Sequence, residues 1–449
     1  MGVTFGSKKS ATFCEQIKAD MSGSKEVYIV VTLQIAKSLQ QIPLCSPLPP
    51  GKQKAGLYAQ GEAETTTRSQ DATARQDIMI NLLNLTLPEL EAWTQAELGE
   101  PKFRAMQIWQ WIWQRMARDF DTMTNISRPC RERMAAKACI VWPEVTAVEE
   151  SQDGTTKFLL RLADGAQVET VLIPSDSREG VRRWTQCLSC QVGCAMGCTF
   201  CSTGEMGFER NMTMAEILGQ ILVAREHLGD TRLHWPMLRN IVFMGMGEPL
   251  LNFNDVMRSL QSLNSDKGLN FSPRRITVST CGIEKNLKEL GECGLAFLAV
   301  SLHAPNQELR ARIMPKAARW PLDRLMSTLQ SYSLNTRERI TFEYLLLGGV
   351  NDGLEHAREL VPLVNSVKGK LNLIVYNPAE GSPYAAPSHE RVLAFEKYLW
   401  DRGVTAILRK SKGQDIKAAC GQLKAARQKE QLEEIKATAP EHDGQETSA

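Results

Sequence analysis

From Cys187 onward the chain alternates two hydrophobic periods, and this alternation constrains its fold more than any other feature. Asn240–Met244, Arg275–Ser279, Ala296–Leu302, Arg339–Leu346, Lys370–Tyr376 and Val404–Arg409 are short runs with the composition of buried strands. Met214–His227, Phe253–Leu263, Leu322–Tyr332, Leu354–Val364 and Ser388–Asp401 are helical in pattern and interspersed with them. Repeated strand–helix units predict an α/β fold, a parallel sheet with helical crossovers. With about six strands, the expectation is an open or partial (β/α)6 barrel. Polar residues recur at or just past the strands' carboxyl ends: Glu248, Ser279, Ser301, His303 and Asn377. In parallel barrels the loops at that end converge on the axis and carry the active site.

The 449 residues before and around this rhythm divide further. Residues 1–77 are rich in Ser, Thr, Gln and Lys and read as a disordered extension, with Met79 a candidate for the biological start. Residues 78–140 read as a small helical module. Thr86-Leu-Pro-Glu89 is a capping box, and Phe103, Met106, Trp109, Ile112, Trp113 and Met116 form a helical stripe. Its cations, Lys102, Arg104, Arg115, Arg118, Arg128, Arg131 and Arg133, suit either a solvated face or an RNA contact. Residues 141–180 read as an antiparallel β-meander, with turns at Asp153-Gly154 and Asp164-Gly165 around Lys157–Leu162 and Ala166–Ile173. The barrel with its C-terminal segment takes 181–429, and 430–449 form a polar tail. No apolar run approaches the ~18 residues of a membrane span. Val27–Ala36 is too short, contains Thr32 and Gln34, and lacks the layout of a signal peptide. A cytoplasmic protein is expected. A net charge of +2 neither demands nor excludes a nucleic-acid partner, which responds to local patches.

Twelve cysteines in this length are too dilute for a disulfide scaffold, and they are unevenly placed. Cys187, Cys190, Cys194, Cys198 and Cys201 fall within 15 residues; Cys14, Cys45, Cys130, Cys139, Cys281, Cys293 and Cys420 are scattered. Cys194-Ala-Met-Gly-Cys198-Thr-Phe-Cys201 has the spacing C-x3-C-x2-C. Three thiolates on one short loop hold one face of a [4Fe–4S] cluster and leave one iron open to a small molecule. Zinc stays open as a reading, because Cys187-Leu-Ser-Cys190 and Cys198-Thr-Phe-Cys201 both have knuckle spacing.

This loop resembles that of the radical S-adenosylmethionine superfamily, and Gly245-Met-Gly247-Glu248-Pro249 after a strand resembles its methionine-binding segment. The glycines permit close backbone approach, and Glu248 offers an acceptor to an ammonium. Cys187-Leu-Ser-Cys-Gln-Val-Gly-Cys194, Met244–Asn252, Ser301-Leu-His-Ala-Pro-Asn306 and Ala418-Ala-Cys420-Gly-Gln-Leu423 narrow the resemblance to the RlmN/Cfr family of RNA adenine methyltransferases. It spans about Asn81 to Arg427.

The resemblance implies methylation of an adenine amidine carbon by a radical route, because such a carbon is electrophilic and cannot accept a methyl group by ordinary displacement. It implies two S-adenosylmethionine molecules per product, one methylating a cysteine and one supplying a 5′-deoxyadenosyl radical. Cys420 is then the methyl carrier, Cys187 the thiol that releases product by forming a disulfide, and Glu169 the deprotonating base. The implied iron ligands are Cys194, Cys198 and Cys201. The implied cofactor contacts are Gly247, Glu248, Ser279, Ser301, Leu302, His303 and Asn377. The implied substrates are 23S ribosomal RNA and transfer RNA, modified at C2, with an external flavodoxin-like electron donor and a monomeric enzyme. The C8-directed branch and a non-enzymatic iron–sulfur or zinc RNA-binding protein are the alternatives.

The residues agree in part. Cys420 lies in a basic run of Arg402, Arg409, Lys410, Lys412, Lys417, Lys424, Arg427 and Lys429, against which stands Asp415. Nearby cations stabilise a thiolate and attract phosphate. The loop-like stretch Lys410–Asp415 would let Cys420 swing inward. Two features depart from the family. Cys190 stands where Ser is usual, and the connection from Glu169 to Cys187 through Ser175–Gln186 is longer, which keeps Glu149 and Glu150 open as bases.

Overall fold

The computed structural model describes residues 79–176, 180, 182–230, 237–335, 338–378 and 381–423. The expected extension 1–77, the tail 430–449 and the cations Lys424, Arg427 and Lys429 lie outside the described residues.

The helical part begins with β1 (Ile80–Asn81) and a 3-10 turn at Leu82–Asn84, followed by α1 (Leu87–Leu98), α2 (Lys102–Trp113) and α3 (Arg128–Lys137). It closes with β2 (Ala138–Cys139), which pairs in parallel with β1. The capping box forms as expected: the Glu89 carboxylate accepts from the Thr86 N–H at 2.7 Å and from its hydroxyl at 2.8 Å. Helix α2 buries Ala105, Ile108, Trp109, Ile112 and Trp113, with the two indoles edge to face at 5.5 Å. The expected stripe is shorter than its sequence pattern. Phe103, in the first turn, is exposed and stacks under the Arg104 guanidinium, and the helix ends before Met116. Most cations here already have acidic partners: Lys102 with Glu91, Arg104 and Arg133 with Glu100, Arg118 with Glu226, Arg128 with Glu132.

The remaining elements are β3 (Glu144–Glu150), β4 (Thr156–Arg161), β5 (Gln167–Asp176), β6 (Arg182–Cys187), β7 (Gln191–Gly193), α4 (Ser202–Glu205), β8 (Phe208–Asn211) and α5 (Met214–His227). After them come β9 (Leu238–Phe243), α6 (Phe253–Asn264), β10 (Ile276–Thr280), α7 (Glu284–Cys293), β11 (Phe297–Ser301), α8 (Gln307–Ile313) and α9 (Leu322–Gln330). The chain continues through β12 (Ile340–Leu346), α10 (Leu354–Asn365), β13 (Gly369–Val375), α11 (His389–Trp400) and β14 (Ala406–Arg409).

Ten strands form one sheet in the order β14-β13-β12-β11-β10-β9-β6-β5-β4-β3. Strands β6 and β9 to β14 run parallel, joined by the helices, so the expected open α/β barrel forms with seven parallel strands and no closure among the described residues. The additional strand is β6, which the apolar pattern hides because it begins Arg182-Arg183 and carries Gln186. That glutamine is fully buried and satisfied: its Nε2 donates to the Gln220 carbonyl at 2.8 Å and to Thr170 Oγ1 at 3.2 Å. The meander continues the sheet rather than standing apart from it, because β5 pairs antiparallel with β6 from Val171↔Cys187 to Asp176↔Arg182. The long connection read in the sequence is thus largely strand. Among the described residues no helix is long and apolar enough to cross a membrane.

The helical part is tied to the barrel by buried polar contacts. The Asn84 side chain accepts from the Ala215 N–H at 2.8 Å, Arg258 donates to the Asn84 carbonyl and to Glu89, and Arg225 donates to the Trp113 carbonyl at 2.7 Å.

Candidate active site

The three-cysteine loop starts where β7 pairs with β8 in a short ribbon. Gly193, at φ +71, brings the chain so close to the Gly207 carbonyl that a Cβ would lie 2.0 Å from its oxygen. The Cys194 N–H donates to that same carbonyl at 2.7 Å, and the Thr199 N–H donates to the Ile313 carbonyl at 3.0 Å. So held, Cys194, Cys198 and Cys201 line one cavity at the carboxyl ends of the parallel strands. Burial pushes all three thiols up, Cys194 to about 12, and the other thiols of the loop raise Cys194 and Cys198 further. Three crowded buried thiolates require nearby positive charge. Metal binding supplies it and deprotonates them. No three His, Cys, Asp or Glu side chains among the described residues converge as ligands of one ion. Three thiols lining one cavity match the ligand number of a cluster that keeps one iron open to a small molecule.

Gly245 and Gly247 pass against the start of the cysteine segment. A Cβ at Gly245 would lie 2.7 Å from the Leu188 carbonyl, and one at Gly247, at φ +108, 2.6 Å from Gln191 Cβ. Gln191 Oε1 accepts the Glu248 N–H at 2.9 Å. The buried Glu248 carboxylate accepts from the N–H groups of Leu250 at 2.9 Å and Cys281 at 2.8 Å. Burial raises its pKa and these bonds oppose the rise, with a net upward shift. A cation arriving at the cavity wall would stabilise its charged form. Ser279 and Ser301 face each other with their hydroxyls 3.4 Å apart, and His303 stands beside them with φ +51.

Of the expected cofactor contacts, Gly247, Glu248, Ser279, Ser301 and His303 line the cavity, whereas Leu302 and Asn377 do not. Leu302 buries its side chain in the core. Its N–H donates to the Glu343 carbonyl at 3.0 Å and its carbonyl accepts from Arg310 at 3.1 Å, so its backbone fixes Ser301 and His303. Asn377, past the end of β13, accepts through its carbonyl from Gln422 Nε2 at 3.4 Å, beside the Cys420 segment.

That segment follows β14 and is fixed at two ends. Asp415 accepts from Ser151 Oγ at 2.6 Å and from the Gln152 N–H at 3.1 Å, and Asp153 accepts the Gly413 N–H at 3.0 Å. Further on, the Gly421 carbonyl accepts the Ser202 N–H at 2.8 Å, and the Leu423 carbonyl accepts from Thr203 Oγ1 at 2.6 Å. Cys420 therefore faces inward. Its surface is accessible, but from the cavity, and the surrounding wall still desolvates it and raises its pKa. Cys187, at the end of β6, is buried and pushed up to about 12, by burial first and by the nearby Cys420 second. The Arg409 guanidinium opposes the rise at both thiols. The expected disulfide is not formed: Cys187 and Cys420 are both thiols.

Glu169 is buried on β5, behind the glycine-rich turn that lines the cavity. Its carboxylate lies 3.3 Å from the buried Lys157 ammonium, which is also 3.3 Å from the half-exposed Glu149. Its carbonyl accepts from Ser189 Oγ at 2.5 Å, and Ser189 in turn accepts the Met246 N–H at 2.9 Å, so Glu169 abuts the glycine-rich turn. Glu150 is exposed at the far end of β3. Cys190 is buried behind the loop, its thiol raised by burial and then by Glu248.

Four residues that the sequence did not single out for the site also belong here: Glu343, Arg310, Cys281 and Gln191. Glu343 lines the cavity from the middle of β12. One oxygen accepts from Asn372 at 2.9 Å and the other is buried without a partner. A lone acid inside the apolar run Ile340–Leu346 was the available signal. Arg310 is fully buried and gives its guanidinium to the carbonyls of Cys281 at 2.6 Å and Leu302 at 3.1 Å, placing positive charge beside Cys198.

Residues 80–140 match the family model described as the ribosomal RNA large subunit methyltransferase N-terminal domain, and residues 188–361 match the radical SAM superfamily. The chain is 74% identical over 363 residues to the dual-specificity RNA methyltransferase RlmN of Nitratidesulfovibrio vulgaris strain DP4, covering 81% of this chain and 100% of that relative. It is 61% identical over 346 residues to the protein of the same name from Lawsonia intracellularis, covering 77% and 97%. A crystal structure of a radical SAM methyltransferase from Sphaerobacter thermophilus is similar at a TM-score of 0.71 and 41% identity, over 77% of this chain and 99% of that one.

Proposed function

Since this chain belongs to the RlmN family of dual-specificity radical S-adenosylmethionine RNA methyltransferases, we propose that it methylates C2 of adenine in 23S ribosomal RNA at the peptidyl-transferase centre and in transfer RNA at position 37, 3′ of the anticodon. The observation that carries this reading is that Cys420 lines the cavity of the three-cysteine loop, within electrostatic reach of both Cys187 and Cys201.

In this reading Cys194, Cys198 and Cys201 hold the [4Fe–4S] cluster. Such a cluster would supply, with bound S-adenosylmethionine, the one-electron chemistry that generates a hydrogen-abstracting radical. Glu248 holds the ammonium of the bound methionine group, with Gln191 fixing its backbone N–H and the Leu250 and Cys281 N–H groups fixing its carboxylate. Ser279, Ser301 and His303 offer hydroxyl and imidazole contacts further along the same wall. Burial keeps His303 neutral, and because Nδ1 accepts the Leu345 N–H at 3.0 Å, Nε2 carries the proton as a donor.

As a thiolate, the form Arg409 favours, Cys420 takes the methyl group of a first S-adenosylmethionine, and S-adenosylhomocysteine leaves. The methyl group then stands on a sulfur inside the cavity, where a hydrogen is taken from it and its carbon bonds to the base. Glu169 removes the proton from the adduct, with Lys157 stabilising its carboxylate. The Cys187 thiolate attacks the Cys420 sulfur and displaces the product carbon, which takes up a proton to complete the methyl group. The adduct's unpaired electron returns to the one-electron donor that initiated the radical as the disulfide forms, and an external, flavodoxin-like donor supplies the two electrons that reduce the disulfide. The helical module contacts RNA, and the enzyme works as a cytoplasmic monomer.

Nucleoside mass spectrometry of ribosomal and transfer RNA from a deletion strain tests the assignment. Loss of 2-methyladenosine from both, restored by the gene, is expected; its persistence overturns the C2 assignment, and loss of 8-methyladenosine instead assigns C8. With anaerobically purified protein, Cys187→Ala is expected to trap a covalent protein–RNA adduct, and absence of adduct removes the resolving role. Absence of 5′-deoxyadenosine with S-adenosylmethionine and dithionite, together with full RNA binding, would favour a non-enzymatic binding protein.

A further inference from the structure

The end of the sheet opposite the cavity carries a charge arrangement that the reaction leaves unused. Arg183 lies at the start of β6 and Arg239 at the start of β9, while Arg274 and Arg275 form the 3-10 turn Pro273–Arg275 that leads into β10. These three strands are neighbours in the sheet and run parallel, so the four side chains gather at one end. Burial, and then the fields of Arg239, Arg183 and Arg274, hold the Arg275 guanidinium below its ordinary range. No carboxylate among the described residues relieves this crowding. Arg275 reaches the Asn240 amide oxygen at 3.3 Å, and Nε of Arg239 is buried with no acceptor. Several arginines elsewhere have a counter-charge: Arg118, Arg210, Arg258, Arg324 and Arg391 each contact an acid.

We propose that this arginine row binds the phosphodiester backbone of the substrate RNA, at nucleotides remote from the adenine being modified. The inference rests on the RNA methyltransferase reading and adds a second binding region to it. Guanidinium forks match phosphate oxygens in pairs. Spread over two inter-strand steps, about 10 Å, the row offers separate sites rather than one pocket, as successive phosphates require. An acidic redox partner is a poorer match. A six-residue strand spans about 20 Å, so a donor docked here would sit at the wrong end of β6 and β9, far from the cysteine loop it must reach. A folded RNA of tens of nucleotides is large enough to engage the cavity with one segment and this end with another.

The test measures binding of the full chain to a whole transfer RNA transcript and to its isolated anticodon stem-loop across a KCl series. In Arg183→Gln/Arg275→Gln, whole-transcript binding is expected to weaken several-fold, and the slope of log K against log [KCl] to shrink by about 1.4–1.8, roughly 0.7–0.9 for each phosphate no longer neutralised. Stem-loop binding and RNA-free 5′-deoxyadenosine formation are expected to match wild type. Should the double variant fold poorly, Arg274→Gln, the most exposed of the four, carries the same readout at about half the slope change. An unchanged slope, or equal weakening on both RNAs, overturns the proposal. So does unchanged RNA binding with slower reduction by a flavodoxin-like donor. If wild type binds neither RNA, it is the RNA methyltransferase reading that fails.

Discussion

His303 is a base that the fold keeps neutral. Burial, and then the charge of Arg310, lower its pKa from 6.5 to about 3 while the Phe200 ring packs edge-on against it. The unfolded chain takes up a proton at this position near pH 6.5, whereas the folded chain does not until about pH 3. Its contribution to stability is therefore complete above pH 6.5 and is lost progressively as pH falls through that window. His303→Asn keeps an acceptor for the Leu345 N–H and tolerates the positive φ, but does not titrate. The melting temperature of wild type is expected to fall more steeply than that of the variant between pH 6.5 and 4.5; parallel slopes would remove His303 as the titrating group.

At the scale of elements, the segment after β14 acts as an arm pinned by its acids. Burial raises Asp153, but hydrogen bonds from Thr155, the Gly413 N–H and Ser151 outweigh it and hold the carboxyl at about 2. Asp415 is likewise held below its ordinary value by Ser151 and the Gln152 N–H. Both pins thus stay charged well into acid. Asp415→Ala is expected to raise hydrogen exchange across Gly413–Gly421 and to slow methylation of Cys420 several-fold, while iron loading stays at wild-type level. Unchanged exchange would mean that the bonds to Ser202 and Thr203 alone hold the arm. In the sequence Asp415 reads as one acid among cations. Its partners Ser151 and Gln152 lie more than 250 positions away, a separation that no local pattern spans. The cysteine spacing and the strand–helix rhythm were legible for the opposite reason, since each is complete within a short window. Strand β6 was hidden because beside Cys187 it buries a glutamine, satisfied only by residues that the fold brings to it. Leu302 and Asn377 engage their neighbours beside the site through backbone carbonyls, a role that side-chain chemistry in the sequence does not display.

Across the whole molecule, the helical part and the barrel share buried polar joints. Arg225, nearly fully buried, donates to the carbonyls of Trp113 at 2.7 Å and Asp230 at 3.1 Å. Arg225→Met would leave both carbonyls without a donor, at a cost of about 2–4 kcal/mol. Arg118→Ala, which breaks a half-exposed pair with Glu226, should cost less than about 1 kcal/mol. Urea unfolding followed by tryptophan fluorescence checks the contrast, since Trp109 and Trp113 lie at this joint; equal destabilisation would contradict it.

The β5–β6 hairpin also bears on how chains of this kind can change length. Residues added beyond Asp176 and Arg182 only extend its tip and leave the pairing of Val171 with Cys187 untouched. Between Arg182 and Cys187 there is no such latitude, because one inserted residue turns everything after it to the opposite face of the sheet. Length can therefore drift at the tip, and a reporter can be grafted there. A single-codon insertion five residues further on would turn Cys187 away from Cys420.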